Sequence, residues 1–242
     1  MIKILAIIPT YNEAENVGEL LFRLDEVRNR LRNRFDIDIL VVDDNSPDKT
    51  AELVNSLQIQ RVSTLIRAEK SGLGPAYLAG FSLGLKSEYK YFIQMDADLS
   101  HKPEQLELLL SQASTQALVI GTRWMQGGAV INWPSHRRFI SKLGTKYASI
   151  VLNLDCKDLT SGYRVLPIEL LKTLDLAEIK TNGYGFQIEM AWLAHIAGFE
   201  IKQVPITFTE RENGRSKMGP KIVWEAWLNV SIWGFKRLVS RR

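Results

Sequence analysis

The stretch Tyr91-Phe92-Ile93-Gln94-Met95-Asp96-Ala97-Asp98-Leu99-Ser100-His101-Lys102-Pro103 decides how this chain is read, because an apolar run stops there at two carboxylates separated by one small residue. Tyr91, Phe92, Ile93 and Met95 suit a buried strand, so Asp96 and Asp98 emerge at its carboxyl edge, where open α/β sheets hold their ligands. Residues two apart in an extended segment face the same side, which brings the two carboxylates together. Such a pair repels itself unless a cation lies between. Ligation by oxygen alone suits Mg²⁺ or Mn²⁺, ions that also take substrate phosphates. The competing reading is a solvated turn in which Asp98 or Ser100 caps a helix begun by Pro103 and Glu104. An isolated Asp-x-Asp favours the turn, and the sequence upstream reverses that preference.

Residues 2–8 form a short β-branched run closed by Pro9, and Thr10 to Glu13 lead into a helical pattern with Val17, Leu20, Leu21, Leu24, Val27 and Leu31 on one face. Arg23, Arg28, Arg30 and Arg32 fall mostly on other faces and read as solvated. A second strand over 37–42 ends in Asp43-Asp44-Asn45-Ser46-Pro47-Asp48-Lys49-Thr50 before another amphipathic helix. A third strand over 64–66 precedes Lys70-Ser71-Gly72-Leu73-Gly74 and a helix over 76–85. Beyond the Asp-x-Asp stretch, a helix over 104–112 and a strand over 117–121 continue the alternation. The pattern predicts an α/β fold, a mostly parallel central sheet flanked by helices. Tyr11 and Glu13, then Asp44, then Asp96 and Asp98 would all face one crevice at the strand ends, a candidate nucleotide site. No G-x-G-x-x-G follows the first strand and no Walker lysine loop is present, so a dinucleotide or ATPase reading lacks its phosphate cradle and a metal must do that work.

The 242 residues and ordinary composition suit one large globular domain, and the net charge of +4 suits anionic partners without choosing among them. Cys156 is the only cysteine, so no intrachain disulfide forms, a reducing compartment is expected, and a buried inert thiol is the better reading than a nucleophile. The start of the chain reads as a strand rather than a signal peptide, and no stretch reaches the roughly 20 apolar residues that span a bilayer.

Pro9-Thr10-Tyr11-Asn12-Glu13, the Val41 to Thr50 segment, Gly72-Leu73-Gly74 and Met95 to His101 resemble glycosyltransferase family 2 in order and spacing, above all the dolichol-phosphate and polyprenol-phosphate mannose synthases. The similarity continues through Gly121-Thr122-Arg123, Asn132-Trp133-Pro134, Arg137 to Ser141, Asp158 to Arg164, Gly185 to Glu189 and Arg211 to Gly219, and so covers nearly the whole chain. The resemblance implies a GT-A fold and an inverting transfer of mannose from GDP-mannose to a polyprenyl monophosphate, with no nucleic acid partner. A polyprenyl-phosphate glucosyltransferase using UDP-glucose is the alternative, since it would share fold and metal site. A non-catalytic nucleotide-sugar or lipid-phosphate binding module stands behind both, because Asp96, Asp98, Arg123 and Lys217 are all present.

By the same resemblance, Pro9, Tyr11, Glu13, Val42 and Asp44 surround the nucleoside, while Asp96, Ala97 and Asp98 meet the sugar diphosphate, with Asp98 and Asp96 holding Mg²⁺ or Mn²⁺. Asp98 is the first metal ligand; Asp96 acts directly or through sugar and water. Ser100 stands where some family members carry glutamine, leaving the third protein ligand open, and His101 reads as a surface residue. Arg123, Arg211 and Lys217 would hold the donor and acceptor phosphates, with Arg137 and Ser141 on the acceptor side and Lys180 on the donor side. Arg138, in the adjacent register, could replace Arg137. Asp43 reads as turn chemistry, and Asp158 or Glu189 as a group that orients arginines by ion pairing.

These assignments divide the chain into one catalytic domain over 1–221, with a nucleotide half near 1–122 and an acceptor half near 123–221, and an amphipathic helix over 222–242. Trp224, Trp227, Trp233 and Phe235 lie among aliphatics there, with Glu225, Asn229 and Lys236 as a narrow polar stripe. Its apolar part, from Ile222 to Val239, is a helix of about 18 residues that would reach about 27 Å, short of the roughly 30 Å hydrocarbon core. The expectation is therefore a peripheral protein on the cytoplasmic face of a membrane, with this helix interfacial. The other reading packs its aromatics on the catalytic domain or on a separate membrane subunit.

Overall fold

The structure, a computed structural model, describes residues 1–210 and 220–239. In chain order it runs β1 (Ile2–Thr10), α1 (Ala14–Leu31), β2 (Phe35–Asp43), α2 (Thr50–Ser56), β3 (Val62–Ile66), α3 (Leu73–Gly84) and β4 (Tyr91–Gln94). A 3₁₀ turn (Pro103–Gln105) and short α4 (Leu106–Ser111) replace the single helix expected over 104–112, and β5 (Ala117–Thr122) follows. The second half holds β6 (Ala129–Ile131), α5 (Ser135–Leu152), β7 (Arg164–Pro167), α6 (Ile168–Thr173), α7 (Gly183–Ile196), β8 (Glu200–Pro205), β9 (Thr207–Thr209) and α8 (Pro220–Val239).

The strand order β3-β2-β1-β4-β7-β5-β8 makes one sheet, and β6 and β9 pair separately. β1, β2, β3 and β4 run parallel, as do β5 and β8, while β7 is antiparallel to both β4 and β5. The unbroken apolar run of β1 has its reason in burial on both faces. Ile4, Ala6 and Ile8 pack with Val17, Leu20 and Leu24 of α1, whereas Leu5 and Ile7 pack in a second core with Tyr77 and Phe81 of α3. Pro9 does not close β1, which runs on to Thr10. Pairing with β4 ends at Ile7, and a residue lacking an amide proton is tolerated beyond that point.

α8 lies across α5 and α7. Ala226, Val230 and Trp233 are buried there, and Trp233 stacks on Trp192 with ring centroids 5.4 Å apart. Gly234 makes the close approach possible, since a Cβ at that position would collide with Val151. The opposite side of α8 stays exposed at Trp224, Leu228 and Phe235, and α5 exposes Phe139, Ile140 and Leu143. Trp233 thus packs on the catalytic domain, as one of the two readings of this helix had it, and Trp224 does not.

Candidate active site

β2, β1 and β4 are neighbours in the sheet, so the loops after their carboxyl ends share one edge. The loop between β2 and α2 caps α1 from outside. Ser46 Oγ accepts the Asn12 N–H at 3.0 Å, Thr50 Oγ1 accepts that of Glu13 at 3.1 Å, and the Asp48 carboxylate accepts that of Ala14 at 3.0 Å. The Ala14 amide would otherwise be an orphan of the first helical turn, and the other two belong to the N-cap and the residue before it. Asp43, buried, accepts from the Thr10 hydroxyl at 2.7 Å and from the Ser46 N–H and hydroxyl at 2.8 and 2.6 Å, which is the turn role expected of it. The two upstream motifs are therefore one hydrogen-bonded unit, and its product is a fixed placement of Tyr11 and Glu13.

A cleft of about 580 Å³ opens at this edge and brings together Pro9, Tyr11, Glu13, Asp44, Asp96, Ala97 and Asp98. Val42 does not reach it; its side chain is fully buried in the core beneath. Glu13 is nearly buried and accepts from Asn16 Nδ2 at 2.9 Å. Asp44 is more committed than the sequence suggested. It pairs with Arg67 at 2.8 Å and accepts the Ser71 and Gly72 N–H groups at 3.2 and 3.3 Å, tying down the loop before α3. Lys70, in that loop, places its Nζ 4.0 Å from the centre of the Tyr11 ring, a cation–π contact on the cleft wall.

Leu99 turns the chain after the two carboxylates with φ of 60°, and Asp98 accepts the Ser100 N–H at 3.1 Å. His101 is not a surface residue. It is 1% exposed, packs between Tyr163 and Phe208, and uses Nδ1 to accept the Asp96 N–H at 3.2 Å. Burial pushes its pKa down against the pull of Asp96 and Asp98, so the ring stands neutral with its proton on Nε2. The apolar neighbours that bury it come from β9 and from the residue before β7, which no local pattern around His101 reveals.

Arg123 is buried one layer behind the cleft wall. Its Nε and Nη2 make a two-pronged bond to Asp158 at 2.7 Å each, its N–H reaches the same carboxylate at 3.0 Å, and Nη2 also meets the Thr160 hydroxyl at 2.9 Å. Burial works against this charge and Asp158 outweighs it, leaving the Arg123 pKa raised. Asp158 thus orients an arginine as expected; Glu189 instead accepts from the Thr181 hydroxyl, and burial raises its carboxyl pKa. Thr160 and Gly162, from the same loop as Asp158, reach the cleft, and Arg164 holds that loop by donating to the carbonyls of Leu159, Ser161 and Gln187. Arg137 pairs with Glu210 at 2.6 Å and lies 4.0 Å from the centre of the Trp133 ring. It is felt by Tyr184, a cleft residue whose hydroxyl pKa burial raises while Arg123 and Arg137 lower it. Ser141 is half-buried on α5 away from the cleft wall, Arg138 is exposed, and Lys180 is exposed beside Glu178 at 4.0 Å. Arg211 and Lys217 lie outside the described residues. The cleft also takes Asn182, Tyr184 and Gln187 from the start of α7 and Glu225 from α8. Of these, Asn182 and Glu225 carried no local signal beyond polarity.

The model of glycosyl transferase family 2 matches residues 5–175. The chain belongs to this family. As a family 2 glycosyltransferase it is 45% identical to the undecaprenyl-phosphate mannosyltransferase of Micrococcus luteus over 96% of this chain and 94% of that protein. It is 43% identical to the polyprenol monophosphomannose synthase of Mycolicibacterium smegmatis over 98% of this chain and 89% of that one. The glucosyl-3-phosphoglycerate synthase of Mycobacterium tuberculosis, solved with Mn²⁺, UDP and phosphoglyceric acid, superposes with a TM-score of 0.70 at 15% identity, covering 96% of this chain and 78% of its own. The fold of this glycosyltransferase is GT-A, as the motifs implied.

Among the described residues no cluster of three or more His, Cys, Asp and Glu forms a cage for a metal. Asp96 and Asp98 on an open cleft instead fit a hard divalent ion that completes its oxygen shell from a diphosphate and water.

Proposed function

We propose that this glycosyltransferase transfers mannose from GDP-mannose to a polyprenyl monophosphate, inverting the anomeric carbon. The observation that carries the reading is the convergence of Tyr11, Glu13 and Asp44 with Asp96 and Asp98 in one cleft, which gives a nucleoside and a diphosphate adjoining places. The names of the Micrococcus and Mycolicibacterium relatives support the sugar and the class of lipid acceptor.

In this reading Glu13 accepts from ribose hydroxyls, and Tyr11 with Lys70 closes over the nucleoside. Mg²⁺ or Mn²⁺ on Asp98 and Asp96 would, when bound, offset the charge growing on the departing diphosphate. An oxygen of the lipid phosphate attacks C1 as the bond from C1 to the diphosphate breaks, and GDP leaves. That oxygen is already anionic, so no proton has to be removed and no carboxylate base is needed. Cations must hold the anion in line instead. Arg137, beside Tyr184 at the cleft, is the described residue best placed for this, with Arg211 and Lys217 assigned to the same task from their motif. Arg123 acts from behind the wall through Thr160 and the loop held by Asp158. Residues 1–122 supply the nucleotide side and 123–221 the acceptor side. The chain works at the cytoplasmic face of a membrane, where exposed Phe139, Leu143, Trp224 and Phe235 meet the surface that holds the lipid.

The test is donor selection: the protein with Mn²⁺, a short polyprenyl phosphate and, in separate reactions, labelled GDP-mannose or UDP-glucose. A β-mannosyl phosphate lipid, identified by the anomeric NMR signal, is expected. Transfer from UDP-glucose alone would replace the donor assignment, and transfer from neither would leave a binding module.

A further inference from the structure

One side chain joins the nucleotide side of the cleft to the acceptor side. Asn182 is the N-cap of α7, and its Oδ1 accepts the Gly183 N–H at 3.0 Å. The same oxygen accepts the Gly74 N–H of α3 at 3.1 Å, and Nδ2 donates to the Ser71 carbonyl at 2.7 Å. The N-cap of α3 is Gly72, which has no side chain to satisfy the first turn, so Asn182 caps two helices distant in sequence. Gly72 sits at φ 100°, and a Cβ there would overlap the Asn182 amide; the loop is shaped around this side chain. From its other side the loop is held by Asp44 through the Ser71 and Gly72 N–H groups, and Lys70 just before it covers Tyr11. Lys70, Gly72, Leu73, Asn182 and Gly183 all face the cleft.

We infer that Asn182 is a positioning residue for the sugar nucleotide: it fixes the segment 70–74, and through it the Lys70 cover on Tyr11, against the start of α7. The inference rests on the reading of this cleft as the nucleotide site. A loop pinned at both ends loses little further freedom when the ligand binds, so the bridge lowers the conformational cost of binding. An amide is the side chain suited to it, because it must accept two N–H bonds and donate one at the same time. A carboxylate in its place would lack the donor and face the Ser71 carbonyl with a charge.

Asn182→Ser separates this role from helix capping. Serine is as good an N-cap for α7, yet its shorter side chain does not span to Ser71 and Gly74. We expect Asn182→Ser to melt within a few degrees of the parent, to bind GDP with Mn²⁺ about tenfold more weakly by calorimetry, and to raise KM for the sugar nucleotide by a similar factor, the result of a loop that holds its bound shape in about one molecule in ten. KM for the polyprenyl phosphate should move less. Asn182→Asp should fall on the weak side as well, although it caps α7. Parent-like GDP affinity and sugar-nucleotide KM in Asn182→Ser would overturn the inference and leave the cleft assignment standing. Failure of the parent protein itself to bind GDP or UDP with Mn²⁺ would overturn the cleft assignment and the inference with it.

Discussion

Asp98 and Asp158 are both buried carboxylates on neighbouring loops, and their surroundings assign them different work. Asp98 accepts the Ser100 N–H and lines the cleft. Asp98→Asn keeps an acceptor for that bond and removes the charge. Turnover should fall by about two orders of magnitude or more while the melting temperature changes little. Full activity of the variant in excess chelator would dismiss the metal role. Asp158 is enclosed with the Arg123 guanidinium, which stacks near Trp133 and Phe208 at 5.2 and 5.1 Å. Asp158→Ala leaves that cation buried and unpaired, so urea unfolding should show a loss of about 3–5 kcal/mol. A loss under about 1 kcal/mol, on the scale of an exposed pair, would mean that Arg123 finds another anion or water. The place of Asp98 at the cleft could be read from its motif, since a strand end and a spacing of two are local. That of Asp158 needed the fold to show which arginine it holds.

Among the elements, α5 and α8 carry an exposed aromatic face with Arg138, Lys142 and Lys146 along α5 and Lys236 near the end of α8. No helix among the described residues is long and apolar enough to cross a membrane. Removing α8 would not test docking cleanly, because Val230 and Trp233 belong to the core. Phe139 and Trp224 are 68% and 67% exposed, so Phe139→Glu with Trp224→Glu should leave the fold intact. We expect the parent protein to float with vesicles rich in anionic lipid and the double variant to bind them about tenfold more weakly or worse, as the loss of two inserted rings and two added charges implies. Negligible flotation of both would turn this face toward a protein partner.

At the scale of the whole molecule, the insertion of β7 between β4 and β5 binds the two halves of the chain into one sheet. Val165 of β7 pairs with Ile93 on one side and Val119 on the other, so β5 is joined to β4 only through β7. A fragment of residues 1–122 should therefore lack a cooperative urea transition and dispersed amide NMR signals, whereas the full chain shows both. A cooperatively folded fragment would make the nucleotide side an independent domain.

What the sequence determined by itself was set by neighbours along the chain. The apolar runs of β1, β2 and β4, the helical stripe of α1 and the carboxylates at the strand ends follow from periods of two and of three to four, which local sterics enforce. Cys156 followed from composition: it is buried, and burial pushes its thiol up to about 11, which keeps it protonated and inert. The tertiary structure alone decided that β7 runs antiparallel between distant strands, that His101 is buried to hold Asp96, that Asp44 is shared with Arg67 and the loop before α3, and that Asn182 caps two helices. Each of these rests on partners far apart in the chain. Their pairing is chosen when two apolar cores close on opposite faces of one sheet, and no local periodicity records that choice.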